Sequence, residues 1–286
     1  MKITRSWPIL LALLVACTEV PELPPLSDSG KSLPGKMVWR DLITPAPSAA
    51  RDFYQTLFGW EFEALGNSGY SLIRHDGVLI GGMADANRIG TTVKSAIWLN
   101  AISVADIAAV VRAAEKNGGR IIRGPNQLSR RGKIAVVMDA EGAVFQLVQS
   151  PTGDPPDADP LMNQWLWTEL ISEDPVAAGA FYEKVIGFSM EAGPAKAADT
   201  YRLLMADGKA RAGILDNPFE DTRSAWIPYV RVADAAAAAA KAAELGAQIV
   251  IAPSPDLRNG SVALILDPSG SPLALQQWNG EAPEGN

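Results

Sequence analysis

Residues 53–59 read Phe-Tyr-Gln-Thr-Leu-Phe-Gly and residues 181–187 read Phe-Tyr-Glu-Lys-Val-Ile-Gly, an offset of 128. The same offset carries Trp39 onto Trp167, Trp98 onto Trp226, Val104-Ala105-Asp106 onto Val232-Ala233-Asp234 and Gly142 onto Gly270. A repeat this regular makes the chain two copies of one unit, each expected to bury its own core. It also supplies an internal comparison, because a residue type present in only one copy is not demanded by the fold.

Working outward from the quoted stretch, a helix is expected to start near Pro47 and end at Gly59, with proline in the first turn and glycine just past the last. Ala50, Phe53 and Leu57, with Tyr54 and Phe58, form its apolar stripe. In the second copy Asp174 is the N-cap candidate and Gly187 the stop. A strand over 37–43 precedes this helix. Short strands over 60–65, 70–74 and 78–83 follow it, with a hairpin turn at His75-Asp76-Gly77. The pattern then restarts: a strand over 96–102, a helix over 105–117 closed by Gly118-Gly119, and strands over 120–123, 133–139 and 144–149. Each copy is therefore two βαβββ modules, four in all, of α+β class. The alanine run 235–240 falls in the second copy's equivalent helix, and Asn259-Gly260 reads as a tight turn.

The ends lie outside the repeat. Lys2 and Arg5 precede an apolar run from Trp7 to Ala16, too short for the roughly 20 residues of a membrane-spanning helix and suited to a signal peptide. Leu14-Val15-Ala16-Cys17 resembles the lipobox of bacterial lipoproteins, which implies lipidation at Cys17, the only cysteine. Thr18 after that cysteine implies the outer membrane where the cell has one. Acyl chains anchor at about 0.8 kcal/mol per buried methylene, so the folded part is expected in the cell envelope, outside the cytoplasm. Residues 17–35 are proline-rich and are expected to form a semi-extended tether that does not pack. Two equal domains are expected over 36–150 and 164–280. A linker over 151–163, with four prolines and three aspartates, joins them, and 281–286 form a tail. The net charge is −7, and losing Lys2 and Arg5 makes it −9, which argues against nucleic acid as a partner.

Paired βαβββ modules with Phe-Tyr in the first helix, Phe-Gly-Trp or Ile-Gly-Phe at its end, and closing Asp-Ala-Glu-Gly-Ala-Val-Phe or Asp-Pro-Ser-Gly-Ser-Pro-Leu resemble the vicinal oxygen chelate superfamily. This is the group of glyoxalase I, bleomycin resistance proteins and extradiol dioxygenases. The resemblance covers both copies and implies two tandem domains, each with a mixed sheet curled around a cleft. Fold alone does not fix the activity.

The resemblance also implies where a divalent metal would be held: by His, Glu or Gln on the first and last strands of each module. Those positions fall at Trp39, Gly81-Gly82, Leu99 and Gln146 in one copy and at Trp167, Gly213, Ile227 and Ala274 in the other. Only Gln146 among them is a weak metal candidate, too few for a transition-ion site, so no cofactor is expected. The single histidine, His75, is expected in an exposed turn. Asp41 and Glu169 share a strand face with Trp39 and Trp167. They are the available general bases, and a carboxylate beside tryptophan could work near neutrality. Arg130, Arg131 and Lys133 are read as a solvated basic face.

The expected lining is therefore Trp39, Asp41, Leu99 and Gln146 in the first cleft, and Trp167, Glu169, Ile227 and Ala274, with Gln276, in the second. An apolar pocket with one or two polar groups suits a small-molecule ligand. Three readings stand open: a lipid-anchored binding protein for a partly apolar or aromatic compound without the usual metal, a lyase- or dioxygenase-type enzyme with a nonstandard metal or carboxylate site, and a structural module of the envelope.

Overall fold

The computed structural model describes residues 22–91, 93–193, 201–219 and 222–279. The signal-peptide segment, Cys17 and the tail 281–286 lie outside the described residues. The first copy runs β1 (Met37–Thr44), α1 (Pro47–Phe58), β2 (Glu61–Ala64), β3 (Tyr70–His75), β4 (Val78–Asp85), β5 (Ile97–Ser103), α2 (Ile107–Lys116), β6 (Arg120–Leu128), β7 (Gly132–Met138) and β8 (Val144–Gln149). The second runs β9 (Trp165–Ser172), α3 (Pro175–Ile186), β10 (Ser189–Ala192), β11 (Tyr201–Ala206), β12 (Lys209–Asp216), β13 (Ala225–Val232), α4 (Ala235–Glu244), β14 (Gln248–Ile251), β15 (Val262–Leu266) and β16 (Pro272–Gln277).

Each copy makes its own eight-stranded sheet, ordered β2-β3-β4-β1-β5-β8-β7-β6 and β10-β11-β12-β9-β13-β16-β15-β14. The two modules of a copy meet at an antiparallel pair, β1 with β5 or β9 with β13, which sets Asp41 opposite Leu99 and Glu169 opposite Ile227. The first strand of each module also pairs in parallel with its last, as the βαβββ reading requires.

Local chemistry explains the helices. Gly59 and Gly187 close α1 and α3 in the left-handed conformation, where a side chain would be strained. Asp106, Asp174 and Asp234 cap α2, α3 and α4 through their carboxylates, which accept from backbone N–H of the first turn. The alanine run does lie in α4, and Ala235, Ala239 and Ala242 are buried.

The cores overturn one expectation. The copies do not bury separate helical cores. Phe53, Tyr54 and Leu57 of α1 pack in one cluster with Val230, Ala239, Ile265 and Leu273 of the second copy. Phe181, Tyr182 and Val185 of α3 pack with Ile107, Ala114, Val137 and Phe145 of the first. The reason lies in the helix stripes: α1 and α3 carry large aromatics, whereas α4 facing α1 is almost all alanine, so neither set closes a core alone.

The two cores carry matching polar ties. Tyr54 Oη donates to Asp267 Oδ2 at 2.8 Å while receiving Trp98 Nε1 at 2.8 Å, and Tyr182 Oη donates to Asp139 Oδ2 at 2.9 Å while receiving Trp226 Nε1 at 2.8 Å. Each aspartate belongs to the closing Asp-X-X-Gly turn of the opposite copy. Burial pushes both carboxyls above the usual range. Between the sheets Arg40 lies 4.8 Å from the Trp165 ring, and desolvation lowers its pKa to about 9.

Residues 22–35 also depart from expectation. They form no helix or strand, but they pack. Leu23 is 4% exposed inside the first domain's cleft cluster. Behind it the chain is fastened to the linker, where buried Asp154 accepts from Leu33 N at 2.6 Å and from Ser103 Oγ at 2.6 Å. Asp157 holds Lys36, Lys209 and Arg211 at 3.0, 2.7 and 2.7 Å. Partial burial opposes its ionisation, but the bonds from Arg211, Lys209 and Lys36 outweigh it and hold the carboxyl below the usual range.

Candidate functional site

Strand alternation aims Trp39 and Asp41 at the cleft and turns Arg40 and Leu42 toward the other copy. Asp41 sits beside Gly82 of β4. A Cβ at Gly82 would collide with the Tyr70 hydroxyl and with Asp41 Oδ1, so glycine there makes room for a tyrosine that crosses from β3. Tyr70 Oη donates to Asp41 Oδ1 at 2.5 Å, Trp39 Nε1 donates to the same oxygen at 2.9 Å, and Gln146 Nε2 donates to Oδ2 at 3.0 Å. Arg131 lies 3.8 Å over the Trp39 ring and donates from Nε to the Pro24 carbonyl at 2.9 Å. Burial lowers its pKa, partly offset by Tyr70 and Asp41. Burial, then the Asp41 charge, raises Tyr70 well above its ordinary value.

The second cleft repeats the plan with different parts. Glu169 accepts from Tyr201 Oη at 2.7 Å, from Tyr229 Oη in a short bond, and from Arg258 Nη2 at 2.5 Å. Tyr201 crosses over Gly213 as Tyr70 crosses over Gly82, and it receives Trp167 Nε1 at 3.0 Å. Arg258 also donates to Gln276 Oε1 at 3.1 Å and lies 5.9 and 5.5 Å from the Tyr201 and Tyr229 rings. Desolvation works against the charge of Arg258, but Glu169 and the two tyrosines outweigh it and raise its pKa. Burial, then Glu169, raises both tyrosines.

The structure thus brings Trp39, Asp41 and Gln146 together, with Leu99 on the same face, and likewise Trp167, Glu169 and Gln276 with Ile227. Ala274 is buried beside Tyr229. Two expectations are corrected. His75 is only 8% exposed, because it ends β3 opposite Val78, and the turn is Asp76-Gly77 alone, both with positive φ. Arg131 is 1% exposed and not part of a solvated face, since its turn folds over the cleft. Asn259-Gly260 does lie in a tight turn, between β14 and β15. Arg258, Asn259 and Gly260 all take positive φ, which aims Arg258 inward.

Sequence reasoning missed Tyr70, Tyr201, Tyr229, Arg131, Arg258 and Leu23. Tyr70 and Tyr201 lie three residues outside the 128 offset, so the repeat comparison passed over them. Gly82 and Gly213, which the tyrosine rings cross, were the available signal. Two open surface hollows lie elsewhere, one at Ser172, Asp216 and Phe219, the other between the copies at Val93, Trp226 and Pro272. Neither brings arginine, tyrosine and carboxylate together as the clefts do.

The residues at the family's metal positions do not fit a metal. Asp41 and Gln146 bond to each other, and the remaining Asp41 oxygen is taken by two donors. In the second cleft a guanidinium already holds the carboxylate. Among the described residues no three His, Cys, Asp or Glu side chains converge.

The model of the Glyoxalase/Bleomycin resistance protein/Dioxygenase superfamily matches residues 36–147 and 164–275. The chain is 30% identical over 237 residues to CFP32 of Mycobacterium tuberculosis, provisionally named a glyoxylase, covering 82% of this chain and 91% of that protein. It is 28% identical over 266 residues to the anthracycline biosynthesis protein DnrV of Streptomyces peucetius, covering 85% and 93%. Among solved structures, the Mn(II)-bound glyoxalase of Novosphingobium aromaticivorans superposes with a TM-score of 0.61 at 14% identity over 89% of this chain and 84% of that one. The 2,3-dioxygenase LapB of Pseudomonas sp. KL28 gives 0.55 at 12% over 88% and 94%. At such identities these two speak for the fold alone. With both copies matched and each forming a sheet of paired βαβββ modules, the chain belongs to the glyoxalase/bleomycin resistance protein/dioxygenase superfamily, as a protein of two tandem domains.

Proposed function

We propose that this protein is a lipid-anchored binder of a small, partly apolar or aromatic molecule bearing an acidic or phenolic group, taken up in the second cleft without a metal. The observation that carries this reading is the difference in exposure within one ion pair: the Arg258 side chain is 30% exposed while Glu169 is 1% exposed. The guanidinium stands at the mouth of a wall built from Trp167, Tyr201, Tyr229 and Ile227. An anionic group entering from solvent meets Arg258 first, and an aromatic body then finds ring faces to stack on. Glu169, with three donors, holds the tyrosines and Arg258 in place; with those donors on it, proton abstraction is a poor role for it. The Streptomyces relatives are named for anthracycline biosynthesis, and an aromatic ligand agrees with such a wall.

The test is a fluorescence titration with 4-nitrobenzoate, a planar acid that quenches tryptophan. Saturable quenching is expected for the wild-type protein, with at least a tenfold weaker Kd in Arg258→Met and loss of most of the quenching in Trp167→Phe. Quenching that is unchanged in both variants would sink the second cleft as the site.

Anchoring at Cys17 is proposed from its place after the apolar run 7–16, with the folded body outside the cytoplasm and in the outer membrane where one exists. A Cys17→Ser protein still found in the membrane fraction would refute it.

A further inference from the structure

The first cleft already holds an occupant from its own chain. We propose that residues 22–26 form a releasable strap, and that docking of Leu23 in the first cleft and binding of a small molecule there exclude one another. This goes beyond the second-cleft reading and does not depend on it.

Leu23 packs in the cluster of Trp39, Tyr70, Leu72 and Val148, with Leu26 beside it. The adjacent carbonyl, Pro24, takes the Arg131 Nε bond. The segment therefore presents a branched apolar group next to a carbonyl acceptor, and the cleft meets each in kind.

The two ends of the segment are held very differently. At the rear, Ser29 Oγ donates to the Asp154 carbonyl at 2.7 Å, Gly30 N donates to the Thr152 carbonyl at 2.9 Å, and Leu33 N donates to the buried Asp154 carboxylate. At the front, Leu23, the part-buried Leu26 and one hydrogen bond hold the chain, with Thr152 Oγ1 on the Ser27 carbonyl between front and rear.

A second observation shows that the strap is an imperfect occupant. Gln146 Oε1 and Arg131 Nη2 are buried without a hydrogen-bond partner. Groups left this way are costly, and a leucine side chain satisfies neither. A ligand with an apolar body, one acceptor and one donor would fill the same floor and satisfy both. It need gain no more than a leucine's burial and those two bonds to displace the strap.

The experiment uses the full chain in an Arg258→Met background, which removes the second-cleft contribution. Its probe is 1-anilinonaphthalene-8-sulfonate, and its readouts are probe fluorescence excited through tryptophan and chymotryptic cleavage after Leu26. Leu23→Ser is expected to raise the cleavage rate at least tenfold and to add about one equivalent of bound probe, while the protein keeps one cooperative unfolding transition. Saturating probe is expected to accelerate cleavage of the strap whose leucine is intact. Should Leu23→Ser disturb the fold, this second measurement decides alone. Probe that binds beside Trp39 without accelerating cleavage would overturn the proposal, as would a Leu23→Ser protein with unchanged cleavage and binding.

Discussion

The two clefts share a plan, a tyrosine crossing over a glycine to donate to a central carboxylate, and differ in the other groups that touch it. In the first, Gln146 on β8 supplies a donor and Ala101 on β5 stands beside it; in the second, Tyr229 on β13 supplies the donor and Ala274 on β16 stands beside it. Positions 101 and 146 correspond to 229 and 274, so a large polar side chain and an alanine have exchanged strands. Arginine comes from the same turn in both, but Arg131 stacks on Trp39, bonds the Pro24 carbonyl and is 1% exposed, while Arg258 pairs with Glu169 and is part-exposed. A carboxylate gripped by donors is thus the constant element, and access to it is the variable one.

The largest expected effect tests what the clefts stand on. Both sheets turn their backs to cores made jointly by the copies. Residues 36–150 alone would expose Phe53, Tyr54, Leu57 and Val137, each worth about 1.5–3 kcal/mol of burial. That fragment is expected to give no cooperative monomeric unfolding transition by circular dichroism and sedimentation. A stable monomer would mean that each cleft has an independent foundation after all.

Next come paired substitutions of the carboxylates. Asp41→Asn leaves Arg131 buried without its nearby charge and is expected to cost about 3 kcal/mol in urea unfolding. Glu169→Gln lets Arg258 turn to solvent and is expected to cost about 1 kcal/mol, discounted for exposure. Equal costs would erase the distinction between a sealed and an open cleft. Gly82→Ala and Gly213→Ala sharpen it further. An added methyl meets the Tyr70 hydroxyl in a closed cleft, at about 3 kcal/mol of overpacking, but Tyr201 in a half-open one, at about 1 kcal/mol. Tyr70→Phe should recover part of the first loss.

How much of this was readable in the sequence follows the same division. The offset between Phe53-Tyr54 and Phe181-Tyr182 gave four modules and their order, because helix stripes and glycine stops are local signals. Two-residue alternation put Asp41 and Glu169 on the face of Trp39 and Trp167, and the family resemblance put Gln146 in the first cleft. Leu23, Arg131 and Arg258 were beyond reach, since each acts through a long-range contact made by an irregular segment. Proline-rich chain reads as a tether until something is shown to bind its leucine, and an arginine in a turn reads as solvated until positive φ at its neighbours is known. Tyr70 and Tyr201 lay between these cases: Gly82 and Gly213 announced a close approach, but only the fold could say by what.

The smallest predicted effect lies where the copies agree. Asp139 and Asp267 occupy equivalent places in the two shared cores, and burial raises both carboxyls above their unfolded values. Folding at intermediate pH therefore takes up protons, so ΔG of unfolding falls as pH rises through the native pKa values. The contribution is fully present below the unfolded value of about 4 and is lost once both groups ionise in the native state. Asp139→Asn with Asp267→Asn should flatten that part of the stability profile, with each single variant removing about half of the slope. Unequal halves, seen in urea midpoints between about pH 4 and 8, would show that the asymmetry of the clefts reaches through to the cores. A profile rising with pH in the same range, and unchanged in the double variant, would instead mean that the Tyr54 and Tyr182 bonds hold both aspartates ionised despite their burial.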